Sequence, residues 1–282
     1  MIAILGGLGA AVMWATATLC TSRSSRMIPP VSVLAWVMIV GSAASLPFAA
    51  ASGVPPQLDA GLIGWLFLIG ASNVGGLLLV YSGLRIGKVG IVAAITSAEG
   101  AVAATIAVLA GERLAAGAAM TLVLIALGVI LASMSRENDA AQRRHNGIAV
   151  LLAAGAALLF GVGLYGAGRV STDLPLSWVL LPARLVGVVA VAVPLLVLGK
   201  LRFSREAVPY VVAAGMAEII GLGSYTVGAR HGIAISAVLG SQFAALSAIA
   251  AFFLFRERLA RVQLVGVTAI VIGVALLTAL RS

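Results

Sequence analysis

Ten apolar stretches, each about as long as a helix that crosses a bilayer, follow one another with only short breaks. They lie at roughly 2–21, 31–50, 61–82, 90–110, 115–134, 147–167, 176–198, 208–228, 233–254 and 262–280. A hydrocarbon core about 30 Å thick takes about 20 helical residues to cross, so each stretch matches one span. The separators carry the proline, glycine and charge expected at helix ends, as in 23–30, 52–59 and 200–206. A soluble fold is excluded, because 18 basic and 9 acidic side chains in 282 residues cannot clothe a water-facing surface. A strand-based membrane protein is excluded as well, since the alternation of a closed barrel is absent and an open sheet edge goes unsatisfied in lipid. The expected fold is an all-α integral membrane protein of ten transmembrane helices.

The remaining composition narrows the chemistry. A net charge of +9 could suggest nucleic acid, but the basic residues lie singly or in small groups between apolar runs, so no nucleic-acid partner is expected. Cys20 is the single cysteine and His145 and His231 the two histidines, which leaves no disulfide framework and no Cys- or His-based metal site. No cofactor is expected either. The first stretch lacks a basic leading region and a polar segment after it, so it reads as a span and not as a cleaved signal.

The longest hydrophilic stretch, 135–146, falls at the middle of the chain. Sliding the sequence on itself by 145 residues places Glu112-Arg113-Leu114 on Glu257-Arg258-Leu259, Arg85 on Arg230, Gly87 on Gly232, Gly128 on Gly273 and Pro30 on Pro175. Matches of Leu and Ala are cheap in this composition, whereas a charged tripeptide, an arginine and a proline sharing one offset are not. The expected organisation is a first five-helix repeat at 1–134, a linker at 135–146 and a second repeat at 147–282. Five spans is an odd number, so the second repeat enters the membrane inverted, a plan that recurs in secondary transporters with the substrate held between the halves.

Loop charge bears on orientation. Loops after odd-numbered spans hold Arg23, Arg26, Arg85, Lys88, Arg136, Arg143, Arg144, Lys200, Arg202, Arg205, Arg256, Arg258 and Arg261. The other side holds only Arg113, Arg169, Arg230 and Arg281. By the positive-inside rule the richer side is cytoplasmic and both termini are expected outside the cytoplasmic (inner) membrane.

With Gly111-Glu112-Arg113, Gly117 and Gly128 in one half and Arg256-Glu257-Arg258, Gly266 and Gly273 in the other, the chain resembles the drug/metabolite transporter superfamily, EamA type. Within it the length and organisation are similar to the YddG-like amino-acid exporters. The second half departs from the motif, having Phe255-Arg256 where a glycine would precede the glutamate. The resemblance implies two five-helix halves around a central cavity, lined mainly by the first, third, fourth, sixth, eighth and ninth helices, and export of amino acids or related metabolites.

Charged groups inside spans cost about 2.5–3.5 kcal/mol each at the bilayer centre, so each needs a partner or a cavity. Glu99, Arg184 and Glu218 are in that position. The seventh and eighth spans form a hairpin, and Arg184 and Glu218 lie at nearly equal depth on its two arms. They are expected to pair, either to lock the hairpin or to bind a zwitterion. Glu99 has no basic residue in register, which makes it either a neutral acid hydrogen-bonded between helices or a proton exchanger. Asn73 and Ser97 stand opposite Glu218 and Gln242 at the 145-residue offset. Such mismatches between matched positions are where an asymmetric solute would be recognised. Trp14, Tyr81, Tyr165 and Tyr225 are candidates for the cavity wall, with Asn73, Ser97 and Gln242 hydrogen-bonding the polar end of the solute. Tyr81 and Tyr225 lie near span ends, where aromatic residues more commonly face the membrane interface. Gly161, Gly163, Gly166 and Gly168 read as close helix packing, with a hinge as the less common use. Glu112 and Glu257 are expected to cap helices or to pair with nearby arginines.

The expected function is an alternating-access secondary transporter exporting small metabolites, namely amino acids, including aromatic or large apolar ones. Its partners are then a small-molecule substrate and the lipid bilayer, with the protein a monomer or weak homo-oligomer. The alternative is a proton-coupled exporter of cationic drugs. An intramembrane enzyme lacks the clustered His, Asp, Ser or Cys it would need, and a receptor of seven helices conflicts with ten spans and the duplication. No P-loop is present to use ATP.

Overall fold

The structure is a computed structural model, and it describes residues 1–110, 140–231, 239–255 and 261–279, with positions 124, 127, 128, 131 and 236 between them. Among these residues every element is helical. In chain order they are α1 (Ile2–Met27), α2 (Pro30–Ser52), α3 (Ala60–Ile86), α4 (Val89–Thr96), α5 (Glu99–Leu109), α6 (Ala140–Val170), α7 (Leu176–Gly187), α8 (Val193–Val197), α9 (Val208–Ala229), α10 (Phe243–Phe255) and α11 (Arg261–Ala279). A π-helical turn at Val188–Ala192 joins α7 to α8. The stretch at 115–134 and the Glu112 and Glu257 motifs lie almost wholly outside the described residues.

Among the described residues, six helices are long and apolar enough to cross a membrane: Ile2–Met27, Pro30–Ser52, Ala60–Ile86, His145–Val170, Leu176–Val197 and Val208–Ala229. Large apolar side chains such as Phe48, Phe67, Leu151, Val197 and Phe253 point outward, which suits a surface bathed in lipid rather than water. The chain is a multi-pass membrane protein.

Helix ends follow local chemistry. The Asp59 carboxylate accepts from the backbone N–H of Leu62 at 2.7 Å, capping α3. Pro30 and Pro209 sit in first turns, where a missing N–H costs nothing. Gly53 and Gly199 adopt φ of 65° and 63°, a left-handed backbone that stops the second and seventh spans and favours glycine. Pro194 denies an N–H to the turn before it, and the wide turn at Val188–Ala192 stands at that point. Residues 140–146, which the sequence places in the linker, are instead the opening turns of α6. Ala-Ala-Gln-Arg-Arg favours helix intrinsically, and polarity alone does not stop one.

Among the described residues, three pairs of helices that are distant in the chain pack antiparallel. Along α1 and α9, a Cβ on Gly6 would lie 2.6 Å from the Ser224 carbonyl oxygen and 2.7 Å from the Gly228 Cα, and one on Gly221 would lie 2.7 Å from Trp14 Nε1. These glycines let the two backbones touch, as small residues do between membrane helices. The same device joins α3 to α6, where a Cβ on Gly76 would meet the Phe160 ring at 2.5 Å and one on Gly87 the Ala149 Cβ at 2.6 Å. The second span and the seventh, made of α7, the π turn and α8, are tied near both ends, through the loop after α8 at one and the Gly53 cap of α2 at the other. Trp36 Nε1 donates to the Arg202 carbonyl at 3.0 Å, and Trp178 Nε1 donates to the Gly53 carbonyl at 2.7 Å.

Candidate functional site

A cavity of about 80 Å³ lies among α1, α3, α4, α6, α7, α9, α10 and the start of α5. Its wall includes one guanidinium, Arg184, and two carboxyl groups, Glu99 and Glu218. Aromatic surface comes from Trp14, Tyr81, Phe160 and Phe243, and further polar groups from Asn73, Thr18, Thr21 and Thr96.

Several local features bring these groups together. The fourth apolar stretch, expected as one helix, breaks between α4 and α5. Ser97 turns its hydroxyl back to the Ala94 carbonyl at 2.8 Å, and Ala98 N–H reaches the Ile95 carbonyl at 3.1 Å. A serine that bonds its own preceding turn competes with the helical ladder, and the next helix restarts with Glu99 in its first turn. Gln242, one offset of 145 residues away, stands immediately before α10, with its N–H on the Leu239 carbonyl at 3.2 Å. The two polar residues matched in the sequence therefore both mark points where a helix begins anew inside an apolar stretch.

Arg184 is completely buried. Its Nη1 donates to Asn73 Oδ1 at 3.3 Å and its Nη2 to Glu218 Oε2 at 3.5 Å, while its Nε has no hydrogen-bond partner among the described residues. The hairpin register that equalises the depths of Arg184 and Glu218 thus brings the two into contact, and Asn73 reaches in from α3. The Tyr81 hydroxyl and the Thr96 hydroxyl are also buried without partners. Glu99 and Glu218 are near enough to interact through their charges.

Of the residues singled out in the sequence, Trp14, Asn73, Tyr81, Glu99, Arg184 and Glu218 line this cavity, whereas Ser97, Tyr165, Tyr225 and Gln242 are not among the lining residues. Ser97 shapes the break described above. Tyr165 packs edge-on against Trp65 at 6.0 Å. Tyr225 backs the wall from behind, its ring 6.1 Å from Trp14 and its hydroxyl donating to the Leu164 carbonyl at 3.4 Å. The interfacial reading of Tyr81 and Tyr225 is overturned, since each is 1% exposed. Distance along a helix says how deep a ring sits and nothing about which way it faces. Among the glycines of α6, Gly161 lies against Val102 and the Glu99 carbonyl, and Gly166 against Ile69, which is packing.

Thr18, Thr21, Phe160 and Phe243 line the cavity without having been singled out. A signal existed for two of them. Trp14, Thr18 and Thr21 recur at i, i+4 and i+7, one face of α1, and the threonine hydroxyls return to the Trp14 and Ala17 carbonyls at 2.8 Å each.

Among the described residues no three His, Cys, Asp or Glu side chains gather in a way that could hold a metal ion. The groups present can form hydrogen bonds, carry charge of both signs and stack on an apolar solute.

The fold and cavity define a multi-pass helical membrane protein with an ionisable centre. Residues 1–134 match the EamA-like transporter family. A crystal structure of a protein is similar across 97% of this chain and 95% of that one, with a TM-score of 0.69 at 20% identity. At that identity the likeness shows the fold alone. No curated protein matches the chain by sequence.

Proposed function

We propose that the chain is a secondary transporter that exports small metabolites across the cytoplasmic membrane by alternating access, with amino acids, including aromatic or large apolar ones, as its substrates. The observation that carries this reading is the cavity itself. A guanidinium, two carboxyl groups and an asparagine line one cavity in the interior of the helical bundle, together with Trp14, Phe160 and Phe243. Ionisable groups are expensive in a membrane and in general mark a solute or ion path. The match of residues 1–134 to a transporter family supports the same class, and the YddG-like branch would supply the amino-acid substrate.

Two inverted five-helix repeats, 1–134 and 147–282, account for the antiparallel packing. Exchanging the halves carries the α1–α9 contact onto α6–α3, with Gly221 falling on Gly76, while the rings these glycines receive, Trp14 and Phe160, stand one residue out of step at the 145-residue offset. It also carries the second span onto the seventh, which lie side by side in opposite senses. At about 80 Å³ the cavity is well below the ~300 Å³ at which small-molecule pockets begin, so on this reading a solute enters as the halves rock apart and enlarge it. The charge bias of the loops supports both termini outside the cytoplasm.

The test is uptake and counterflow in proteoliposomes against amino acids, polyamines and quaternary ammonium compounds, with and without a pH gradient. Saturable movement of amino acids supports the reading. One observation favours a second reading, a proton-coupled exporter of cations, because two carboxyl groups and one guanidinium line the cavity. Movement of the ammonium compounds alone would establish that one, and no movement of any solute would overturn both.

A further inference from the structure

The guanidinium of Arg184 presents two edges. Asn73 occupies Nη1, and Glu218 touches the other edge through Nη2 alone, at 3.5 Å, leaving Nε buried and unpartnered. Nε–H and the neighbouring Nη2–H are parallel donors that match the two oxygens of a carboxylate, and a well-seated carboxylate takes both at about 2.7–2.9 Å. Glu218 uses one oxygen at a longer distance. The fork is therefore half engaged, at a residue with no exposure whatever. A second donor, the Tyr81 hydroxyl, lines the same cavity and is buried without an acceptor. Buried donors without partners are rare in folded proteins, and with the Thr96 hydroxyl this cavity holds three, which points to an absent acceptor.

We propose that this edge of Arg184 is the receptor for a solute carboxylate, and that Glu218 is the resident stand-in which the solute displaces. The incoming carboxylate takes Nε and Nη2 together and accepts from Tyr81. Asn73 keeps its hold on Nη1, so the guanidinium plane stays fixed while its partner changes. The displaced Glu218 carboxylate then faces the cavity as the anionic partner for an ammonium group on the same solute. The exchange creates no net charge in the membrane, because a zwitterion adds none and each charge gains a new partner as it loses the old one. Solutes lacking the carboxylate cannot release Glu218, so the pair excludes simple amines. This inference rests on the cavity being the transport site and adds the group that is read there.

The experiment is chemical rescue in the full-length protein reconstituted in nanodiscs. Glu218→Ala empties the partner side of the fork and opens room beside it. Propionate should then raise the melting temperature of this variant in a saturable way and recover most of the loss. Its apparent affinity should exceed that for the unaltered protein by about tenfold or more, since it no longer competes with Glu218. Propionamide, equal in shape and without charge, should do neither. Arg184→Lys keeps the charge and loses the fork, and in the Glu218→Ala background it should abolish the preference for propionate over propionamide. Equal effects of the acid and the amide, or no stabilisation by either, would overturn the proposal. Should Glu218→Ala not fold, the same comparison is made with L-phenylalanine, phenylalaninamide and 3-phenylpropanoate on the unaltered protein and on Arg184→Lys. Stabilisation by the two carboxylates that is lost in the lysine variant upholds it, and stabilisation unchanged in that variant, or absent for both carboxylates, overturns it. Rescue without solute movement in vesicles would refute the transport reading alone. Amino-acid transport without rescue would refute only this exchange.

Discussion

Breaking the Arg184–Glu218 pair tests whether it is a coupled unit or two polar groups that merely share a cavity. At 3.5 Å and an effective dielectric constant near 20, the bare attraction is about 5 kcal/mol. Much of that is offset by the cost of removing both charges from water, so the informative quantity is what remains when one partner goes. The two single variants should differ. Glu218→Gln strands a guanidinium that cannot shed its charge, and the stability lost should be about 3–4 kcal/mol. Arg184→Met strands a carboxyl group, which can take a proton and become neutral, and the loss should be about 2 kcal/mol. The double variant leaves two neutral side chains of similar volume, so it should lose about 2 kcal/mol and not the sum. The expected coupling is then about 3–4 kcal/mol. Reversible unfolding in bicelles, followed by the fluorescence of tryptophan, measures all four corners of the cycle. Losses that add to within about 0.5 kcal/mol would refute the coupling, and an Arg184→Met loss exceeding that of Glu218→Gln would refute the argument about which charge can be neutralised.

Three further outcomes are expected. Gly6→Val drives side-chain atoms into the backbone of α9, whose Ser224 oxygen lies 2.6 Å from the Cβ position, whereas Gly64→Ala meets nothing within 4 Å. Thermal unfolding should show a loss of about 1–3 kcal/mol or more for the first and no loss for the second. If transport is proton-coupled through Glu99, Glu99→Gln should flatten the pH dependence of counterflow while solute binding is retained. An unchanged pH profile would remove Glu99 from coupling. Reporters of periplasmic location fused to either terminus should both be active, and activity at only one would contradict an even number of spans.

What the sequence reveals of this protein divides along one geometric line. Depth in the membrane is written in residue number, because each helical residue rises about 1.5 Å whatever its neighbours are. Six of the ten expected spans and the meeting of Arg184 with Glu218 were legible on that basis alone. Azimuth is not written so plainly. Tyr81 and Tyr225 lie near span ends, yet both face inward, since a bundle without a water-facing surface has no polar side to fix the rotation of each helix. The weak alternative signal is shape. Gly76 and Gly221 mark the faces that receive Phe160 and Trp14, so a glycine matched across the halves indicates an inward direction that hydropathy cannot. The break after Thr96 shows the same division at smaller scale. A hydropathy window averages over Ser97, while the consequence of that residue, a hydroxyl returned to its own preceding turn, depends on a rotamer. Glu99 owes its place at the start of α5 to that turn. A residue can therefore be assigned its depth from the sequence, while its role in the cavity is set by which neighbours leave space for it to turn inward.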